Sequence, residues 1–148
     1  MSATCFKGYL SVRGWDAVSI DRSRTGNPHD PRNVRFVDLE LDATDMWRFV
    51  NDSFDLVIAQ HVIEEIENFR LALDEISRVL RPGGLALLEI PFDRRRAVSV
   101  PQRPDHFGNV WGFGIDLLVE LRGRFGAVEA QELHERDYRG EVLACRAA

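Results

Sequence analysis

The stretch from 54 to 92 constrains the fold of this chain more than any other part of it. Two apolar runs, FDLVIA at 54–59 and LALLEIPF at 85–92, flank a stretch whose apolar residues recur every three or four positions from 62 to 80. Short continuous apolar runs are typical of strands buried on both faces of a parallel sheet, and the period between them is that of an amphipathic helix. This pattern predicts a βαβ crossover in which the PGG triplet at 82–84 ends the helix at a tight turn.

The remaining apolar patterns extend this unit into one α/β domain over 1–148. They predict helices at 6–14 and 114–126, strands at 16–20 and 34–41, and a closing pair of strands at 127–133 and 140–147. Long loops are expected at 22–33 and 93–113. The predicted architecture is a three-layer sandwich around a mostly parallel sheet, with an antiparallel strand pair at the C-terminal end.

Composition excludes several classes of function. The 148 residues carry a formal net charge of −5, which argues against binding to a nucleic-acid backbone, and no apolar stretch has the length of a membrane span. The N-terminus lacks the apolar core of a secretory signal, so we expect a cytoplasmic protein in which Cys5 and Cys145 are free thiols. No Cys/His cluster has the spacing of a metal site.

Polar residues follow the predicted strands at their carboxyl ends, where open α/β sheets bind ligands. Gln60 and His61 follow the run at 54–59, Asp21 follows the run at 16–20, and Asp42 follows the run at 34–41. His61 has a side chain suited to moving a proton near neutral pH. The alternative is that His61 merely begins the helix, with Glu64 and Glu65 on its first turn.

Three motifs in this region resemble the class I S-adenosylmethionine-dependent methyltransferases, in particular the group called methyltransferase type 11. They are SFD at 53–55, HVIE at 61–64 and RVLRPGG at 78–84, and a weaker resemblance covers most of the chain. The resemblance implies a Rossmann-like methyltransferase sheet. It also implies methyl transfer from S-adenosylmethionine to a small-molecule acceptor, without a metal.

The same resemblance assigns roles to single residues. An acid in the position of Asp21 accepts hydrogen bonds from the cofactor ribose, and one in the position of Asp42 accepts from the adenine amino group. Asp42 could equally start a turn, with Asp38 and Asp45 as rival candidates. The cofactor-binding set is Asp21, Arg22, Asp42, Ala43 and Gln60. The catalytic candidates are His61 and, on the loop at 93–113, His106; the arginines at 94–96 are a candidate anion site or a solvated loop.

One family feature is missing. The glycine-rich loop of the form D-x-G-x-G-x-G, and the central first strand before it, have no counterpart here. We therefore expect an N-terminally truncated domain. The strands at 16–20 and 54–59 could pair directly, the N-terminal residues could fill the gap, or another chain could lend a strand; a start codon placed too far downstream is a fourth explanation. Exposed strand edges invite pairing, so a homodimer or partner chain is expected.

The missing loop leaves more than one function open. The first hypothesis is a methyltransferase acting on a small molecule. The alternative is a non-catalytic, methyltransferase-like partner or regulatory subunit, since that loop lets the backbone approach the cofactor closely. A third hypothesis is a binding module that retains only the acceptor pocket.

Overall fold

The computed structural model describes residue 10 and residues 12–22, 37–135 and 138–148; the side chains of 133–140 are not described. By its internal contacts the chain divides into two compact units, Met1–Met46 and Trp47–Ala148.

The first unit contains a pair of short parallel strands, β1 (Ile20–Asp21) and β2 (Leu39–Glu40). Both are shorter than the predicted strands at 16–20 and 34–41. The Asp38 carboxylate accepts hydrogen bonds from the Ser19 N–H at 2.7 Å and from the Ser19 hydroxyl at 2.8 Å. A side chain thus replaces a backbone partner just before β1, and the ladder starts one residue later.

Little of the predicted helix at 6–14 can be compared with the structure. Leu10 and Val12 are helical, and a turn at 13–14 follows, where Gly14 has a positive φ of 83°. Residues 6–9 and 11 lie outside the described residues, as do Cys5, most of the predicted loop at 22–33, and 34–36 of the predicted strand at 34–41.

The second unit is built on a four-stranded sheet of order β3-β4-β8-β7. β3 (Phe54–Gln60) and β4 (Leu80–Glu89) are parallel, and β7 (Ala127–Glu135) and β8 (Tyr138–Arg146) form the predicted antiparallel pair, with β8 against β4. The α/β class and the parallel pairing of the two apolar runs are confirmed, and the sheet is mixed.

The PGG triplet lies within a strand, so its prediction as a tight turn after the helix is wrong. β4 starts at Leu80, immediately after the helix, and runs through the triplet. Gly83 takes a positive φ of 77°, and the register between β3 and β4 shifts in this region, from Phe54↔Leu80 to Leu56↔Leu85. A Cβ on Gly84 would lie 2.8 Å from the Arg81 carbonyl oxygen, so this bulge requires glycine.

The predicted helix at 62–80 is interrupted. A 3₁₀ turn covers Ile63–Glu65, and helix α1 starts only at Phe69 and ends at Val79. The break occurs because carbonyl groups that would accept helical hydrogen bonds are used elsewhere. The Glu64 carbonyl accepts the Val110 N–H at 2.8 Å, and the Glu67 carbonyl accepts the Trp111 indole N–H at 3.0 Å.

The loop at 93–113 has more structure than expected. Two of its segments form a small antiparallel pair, β5 (Val100–Pro101) with β6 (Trp111–Gly112). Helix α2 then covers Leu117–Arg122, about half of the predicted 114–126. Gly114 cannot carry a side chain, since a Cβ there would lie 2.6 Å from the Arg96 carbonyl oxygen.

The core of the second unit comes from one face of α1, the inner positions of β4 and β8, and the inner side of α2. Its fully buried members include Leu73, Leu88, Leu117 and Leu143, with Phe69 packed edge-on against Phe113. Cys145 is a free, buried thiol, and burial raises its pKa to about 12. It is therefore unreactive at neutral pH.

Two further predictions concern strand pairing and membranes. β1 pairs with β2 within the first unit, β3 pairs with β4 within the second, and direct pairing of the runs at 16–20 and 54–59 stays a prediction. Within the described part of the chain, no helix combines the length and apolarity needed to cross a membrane.

Candidate functional site

The site begins where β3 ends. His61 directly follows Gln60 and has a φ of +50°, a left-handed conformation that is uncommon for any residue other than glycine. The His61 N–H donates to the Glu89 carbonyl at 3.0 Å, which extends the β3–β4 pairing by one residue. This conformation ends the strand and turns the chain at the carboxyl edge of the sheet, where half of the imidazole remains exposed.

Glu64 is the buried partner of His61. Its side chain is 1% exposed, although it lies on the 3₁₀ turn, and its Oε1 is 2.9 Å from His61 Nδ1. Burial raises the pKa of the Glu64 carboxyl. Hydrogen bonds from its own backbone N–H and from His61 act in the opposite direction, and the nearby charge of Glu89 adds to the rise. Glu64 therefore lies on the turn that follows His61, as the alternative interpretation had it, but its carboxyl is buried.

Glu89, the last residue of β4, contacts the same imidazole from the other side. Its Oε1 lies 3.4 Å from His61 Nε2, and its Oε2 accepts a hydrogen bond from the Gln60 amide at 2.7 Å. The Glu89 side chain is only 8% exposed. The adjacent strand ends thus place Gln60 and His61 against two buried carboxylates.

The long loop is fixed to the turn that carries Glu64. The Val110 N–H donates a hydrogen bond to the Glu64 carbonyl, and the Gln102 N–H donates one to the Val110 carbonyl at 2.9 Å. Trp111 packs edge-on against Phe69 at 5.1 Å between ring centroids. The long loop is therefore attached to the segment that contains the site.

His106 lies at the exposed end of this loop, in a turn organised by Asp105. The Asp105 carboxylate accepts the N–H groups of Phe107 at 2.8 Å and Asn109 at 3.0 Å, and the His106 ring lies 3.7 Å from that of Phe107. The turn fixes the backbone around His106. A catalytic role for His106 stays a prediction.

The arginines at 94–96 have separate partners. Arg94 forms an ion pair with Glu141 and lies over the Phe92 ring. Arg96 donates to the Gly112 carbonyl at 3.1 Å. Two of the three guanidinium groups thus have partners, Arg94 outside the loop and Arg96 within it, which argues against an anion site.

In the first unit, the predicted cofactor residues lie at the carboxyl edge of β1 and β2. The Asp21 carbonyl accepts the Leu41 N–H at 2.9 Å, and Asp42 and Ala43 follow directly. Asp42 Oδ1 accepts the Thr44 N–H and hydroxyl, both at 2.8 Å. Desolvation opposes ionisation of Asp42, but these hydrogen bonds and the charge of Arg22 outweigh it and lower the pKa of this carboxyl.

Comparison with known families decides the identity of the fold. A model of the methyltransferase domain matches residues 6–88 of this chain. The chain belongs to the S-adenosylmethionine-dependent methyltransferase family. Its motifs at 53–55, 61–64 and 78–84 fall inside the matched region. No curated protein matches the chain significantly in sequence.

Solved structures of methyltransferases share the fold. The Burkholderia thailandensis 1,6-didemethyltoxoflavin-N1-methyltransferase, solved with 1,6-didemethyltoxoflavin and S-adenosylhomocysteine, is 18% identical and has a TM-score of 0.67 over 95% of this chain and 65% of that one. A methyltransferase from Methanosarcina mazei is 17% identical, with a TM-score of 0.60 over 95% of this chain and 86% of that one. One from Archaeoglobus fulgidus is 10% identical, with a TM-score of 0.65 over 95% of this chain and 80% of that one. The chain thus spans less than two thirds of the toxoflavin enzyme's length.

S-adenosylmethionine is the cofactor that this family membership implies. Its ribose hydroxyls and adenine amino group need hydrogen-bond acceptors, and Asp42, held ionised at the carboxyl edge of the β1–β2 sheet beside Asp21, has this chemistry. These acceptors fit the nucleoside end of the cofactor. For its carboxylate end, the sequence offers no glycine-rich loop after a strand.

The two carboxylates around His61 are the residues that sequence reasoning missed. Glu89 has one signal, since it is the lone charged residue in the apolar run LALLEIPF. A single acid in a buried strand needs a partner, and this rule alone could have selected it. The helical period did not predict that Glu64 is buried, because the helix starts later than the period indicates.

Proposed function

We propose that this protein transfers a methyl group from S-adenosylmethionine to a small-molecule acceptor. Family membership gives the class of reaction. The observation that supports catalysis by this chain is the half-exposed imidazole of His61, held by a buried carboxylate at the carboxyl edge of β3. A histidine in this position is suited to accept a proton.

Five residues are proposed to hold the cofactor. Asp21 accepts hydrogen bonds from the ribose hydroxyls, and Asp42 accepts one from the adenine amino group. The Ala43 N–H donates a hydrogen bond to the adenine ring. The charge of Arg22 adds to the Thr44 hydrogen bonds that lower the pKa of Asp42. Gln60 is proposed to face the methionine end of the cofactor.

The chemistry that the cofactor supplies is a methyl group on a positively charged sulfur. This chain's contribution is to place the acceptor in line with that methyl group and to remove its proton. Orientation of this kind accounts for several kcal/mol of a bimolecular barrier, about 7–11 in the most favourable cases. His61 is the proposed base, and His106 on the attached loop is proposed to contact the acceptor.

Calorimetric titration with S-adenosylhomocysteine tests the cofactor assignment. Asp21→Ala should weaken binding by about 1–3 kcal/mol, since a charged acceptor is lost. Asp16→Ala is the matched control, because Asp16 is an exposed aspartate of the same unit. Equal affinities for the wild type and folded Asp21→Ala would remove Asp21 from the site.

A non-catalytic partner or ligand-binding subunit is the second candidate. The same titration separates the two functions. A wild-type chain that binds neither S-adenosylmethionine nor S-adenosylhomocysteine would favour this alternative.

We also propose that the chain self-associates or recruits a partner chain. Among the described residues of the second unit, β3 is an edge strand, and its residues from Leu56 to Gln60 are only half-buried. Edge strands of this kind pair readily with other strands. Light scattering in dilute solution tests the proposal, and a molar mass equal to that of the monomer at all concentrations would reject self-association.

A further inference from the structure

The imidazole of His61 lies between two carboxylates from different elements. Glu64 of the 3₁₀ turn approaches Nδ1 to 2.9 Å, and Glu89 of β4 approaches Nε2 to 3.4 Å. Once Glu64 is ionised, its oxygens only accept hydrogen bonds, so the short Nδ1 contact then places a proton on Nδ1. The longer contact leaves Nε2 as the nitrogen that can gain a proton.

Both carboxylates are incompletely satisfied. Glu64 Oε2 and Glu89 Oε1 are buried and lack a hydrogen-bond donor among the described residues. A buried acceptor without a donor is costly, by about 1–3 kcal/mol. For Glu89, His61 Nε2 lies 3.4 Å from this oxygen and would be a donor when it carries a proton.

We propose that Glu64 and Glu89 are positioning residues for His61: Glu64 holds the resting proton on Nδ1, and Glu89 receives the hydrogen bond of the proton that Nε2 takes from the methyl acceptor. This inference rests on the proposed function. It assigns a reason to both buried acids, which neither the fold nor the family match explains. Carboxylates that fix a histidine tautomer are a general device of proton-transfer sites.

The proton and electron balance of the step is complete. The acceptor heteroatom forms a bond to the methyl carbon while the carbon–sulfur bond breaks, its electron pair stays on sulfur, and the proton of the heteroatom moves to His61 Nε2. The imidazolium then has one carboxylate at each N–H, and Gln60 holds the second oxygen of Glu89 in place. The proton later leaves His61 to solvent through its exposed side.

Nitrogen-15 NMR of the imidazole rings tests the assignment without any need for turnover. The pH is raised until the rings are neutral, and the His61 signals are identified among the four histidines by their loss in His61→Gln. We expect wild-type His61 to carry its proton on Nδ1. In Glu64→Met the proton should move to Nε2, because Glu89 is then the remaining acceptor, whereas Glu89→Met should keep it on Nδ1.

The control is Glu67→Gln, which removes an exposed carboxylate from the same segment and should leave the tautomer unchanged. A wild-type neutral ring with its proton on Nε2, or an unchanged tautomer in folded Glu64→Met, overturns the proposal. The wild-type spectrum alone decides the matter if the variants do not fold.

Calorimetry with S-adenosylhomocysteine on the same samples separates this inference from the proposed function. Binding together with a proton on Nε2 overturns the positioning role only. Absence of binding overturns the proposed function and the catalytic use of His61 with it.

Discussion

Asp116 and Glu64 show how two acids beside short helices can have opposite environments within one unit. Asp116 immediately precedes α2, and Glu64 lies on the 3₁₀ turn before α1. Asp116 accepts three hydrogen bonds from Ser99, two from its N–H at 2.8 and 2.9 Å and one from its hydroxyl at 2.5 Å. Glu64 has His61 on one oxygen, and its other oxygen is buried without a donor.

The number of donors decides the sign of the pKa shift. Desolvation opposes ionisation at both sites. At Asp116 the Ser99 hydrogen bonds outweigh it and lower the pKa of the carboxyl, whereas at Glu64 burial dominates and raises the pKa. The satisfied acid holds Ser99, near the start of the long loop, against α2. The unsatisfied acid is the one that contacts the proposed base, which is typical of functional sites.

Replacement of Asp116 should have the largest effect on stability. Asp116→Ala removes a charged acceptor and leaves the Ser99 N–H unpaired, so the free energy of unfolding should fall by about 1.5–3 kcal/mol. Urea denaturation at pH 7 measures this change. Because the pKa of Asp116 is lower in the folded protein than its usual 3.8, its contribution is present above that value and is lost as the pH falls through the folded-state pKa.

The control for this variant is Glu129→Ala, since Glu129 is an exposed acid on β7. A loss for Asp116→Ala no larger than that of the control would show that the Ser99 contacts contribute little. A difference between wild type and Asp116→Ala that stays constant down to about pH 2 would contradict the pKa assignment.

Ser99→Ala should have an intermediate effect. The hydroxyl donates to Asp116 and accepts the Gly114 N–H at 3.0 Å, but the Ser99 backbone N–H still holds Asp116 after the change. We expect the free energy of unfolding, measured in the same way with urea, to fall by about 1 kcal/mol, less than for Asp116→Ala. The reverse order would mean that the hydroxyl, rather than the carboxylate, is the main connection between the loop and α2.

Glu64→Gln should have the smallest effect at neutral pH, because the amide oxygen can still accept from His61. Its signature is the pH dependence. A raised folded-state pKa means that the contribution of Glu64 is fully present below its usual 4.5 and is lost as the pH rises through the folded-state value. The free energy of unfolding should therefore fall less between pH 5 and pH 7 in the variant than in the wild type. An unchanged decline would contradict the burial argument.

The sequence predicted the central unit well because its signals are local. The apolar runs at 54–59 and 85–92 became the parallel strands β3 and β4, and the period before Leu80 became α1. Burial on both faces leaves few alternatives for such runs. The antiparallel pair at the C-terminal end was predicted as well.

The errors occurred where distant residues compete for the same backbone groups. The period from 62 to 68 is helical, yet Val110 and Trp111 take the carbonyls of Glu64 and Glu67, and the helix starts late. In the same way, the PGG triplet has a turn composition but lies in a strand, because β3 pairs with Leu80 as well as with Leu85. Local preference is easily overridden by contacts of this kind.

The sequence alone determined the fold class, the family and the placement of Gln60 and His61 after a buried strand, because apolar periodicity and the three motifs are properties of neighbouring residues. The tertiary structure decided that Glu64 is buried and that Glu89, 28 positions after His61, approaches the same ring. Spacing along the chain cannot encode that meeting, since it depends on the register between β3 and β4 and on the loop that holds the turn. The chemistry at His61 depends on these two carboxylates, and their arrangement follows from the pairing of adjacent strands.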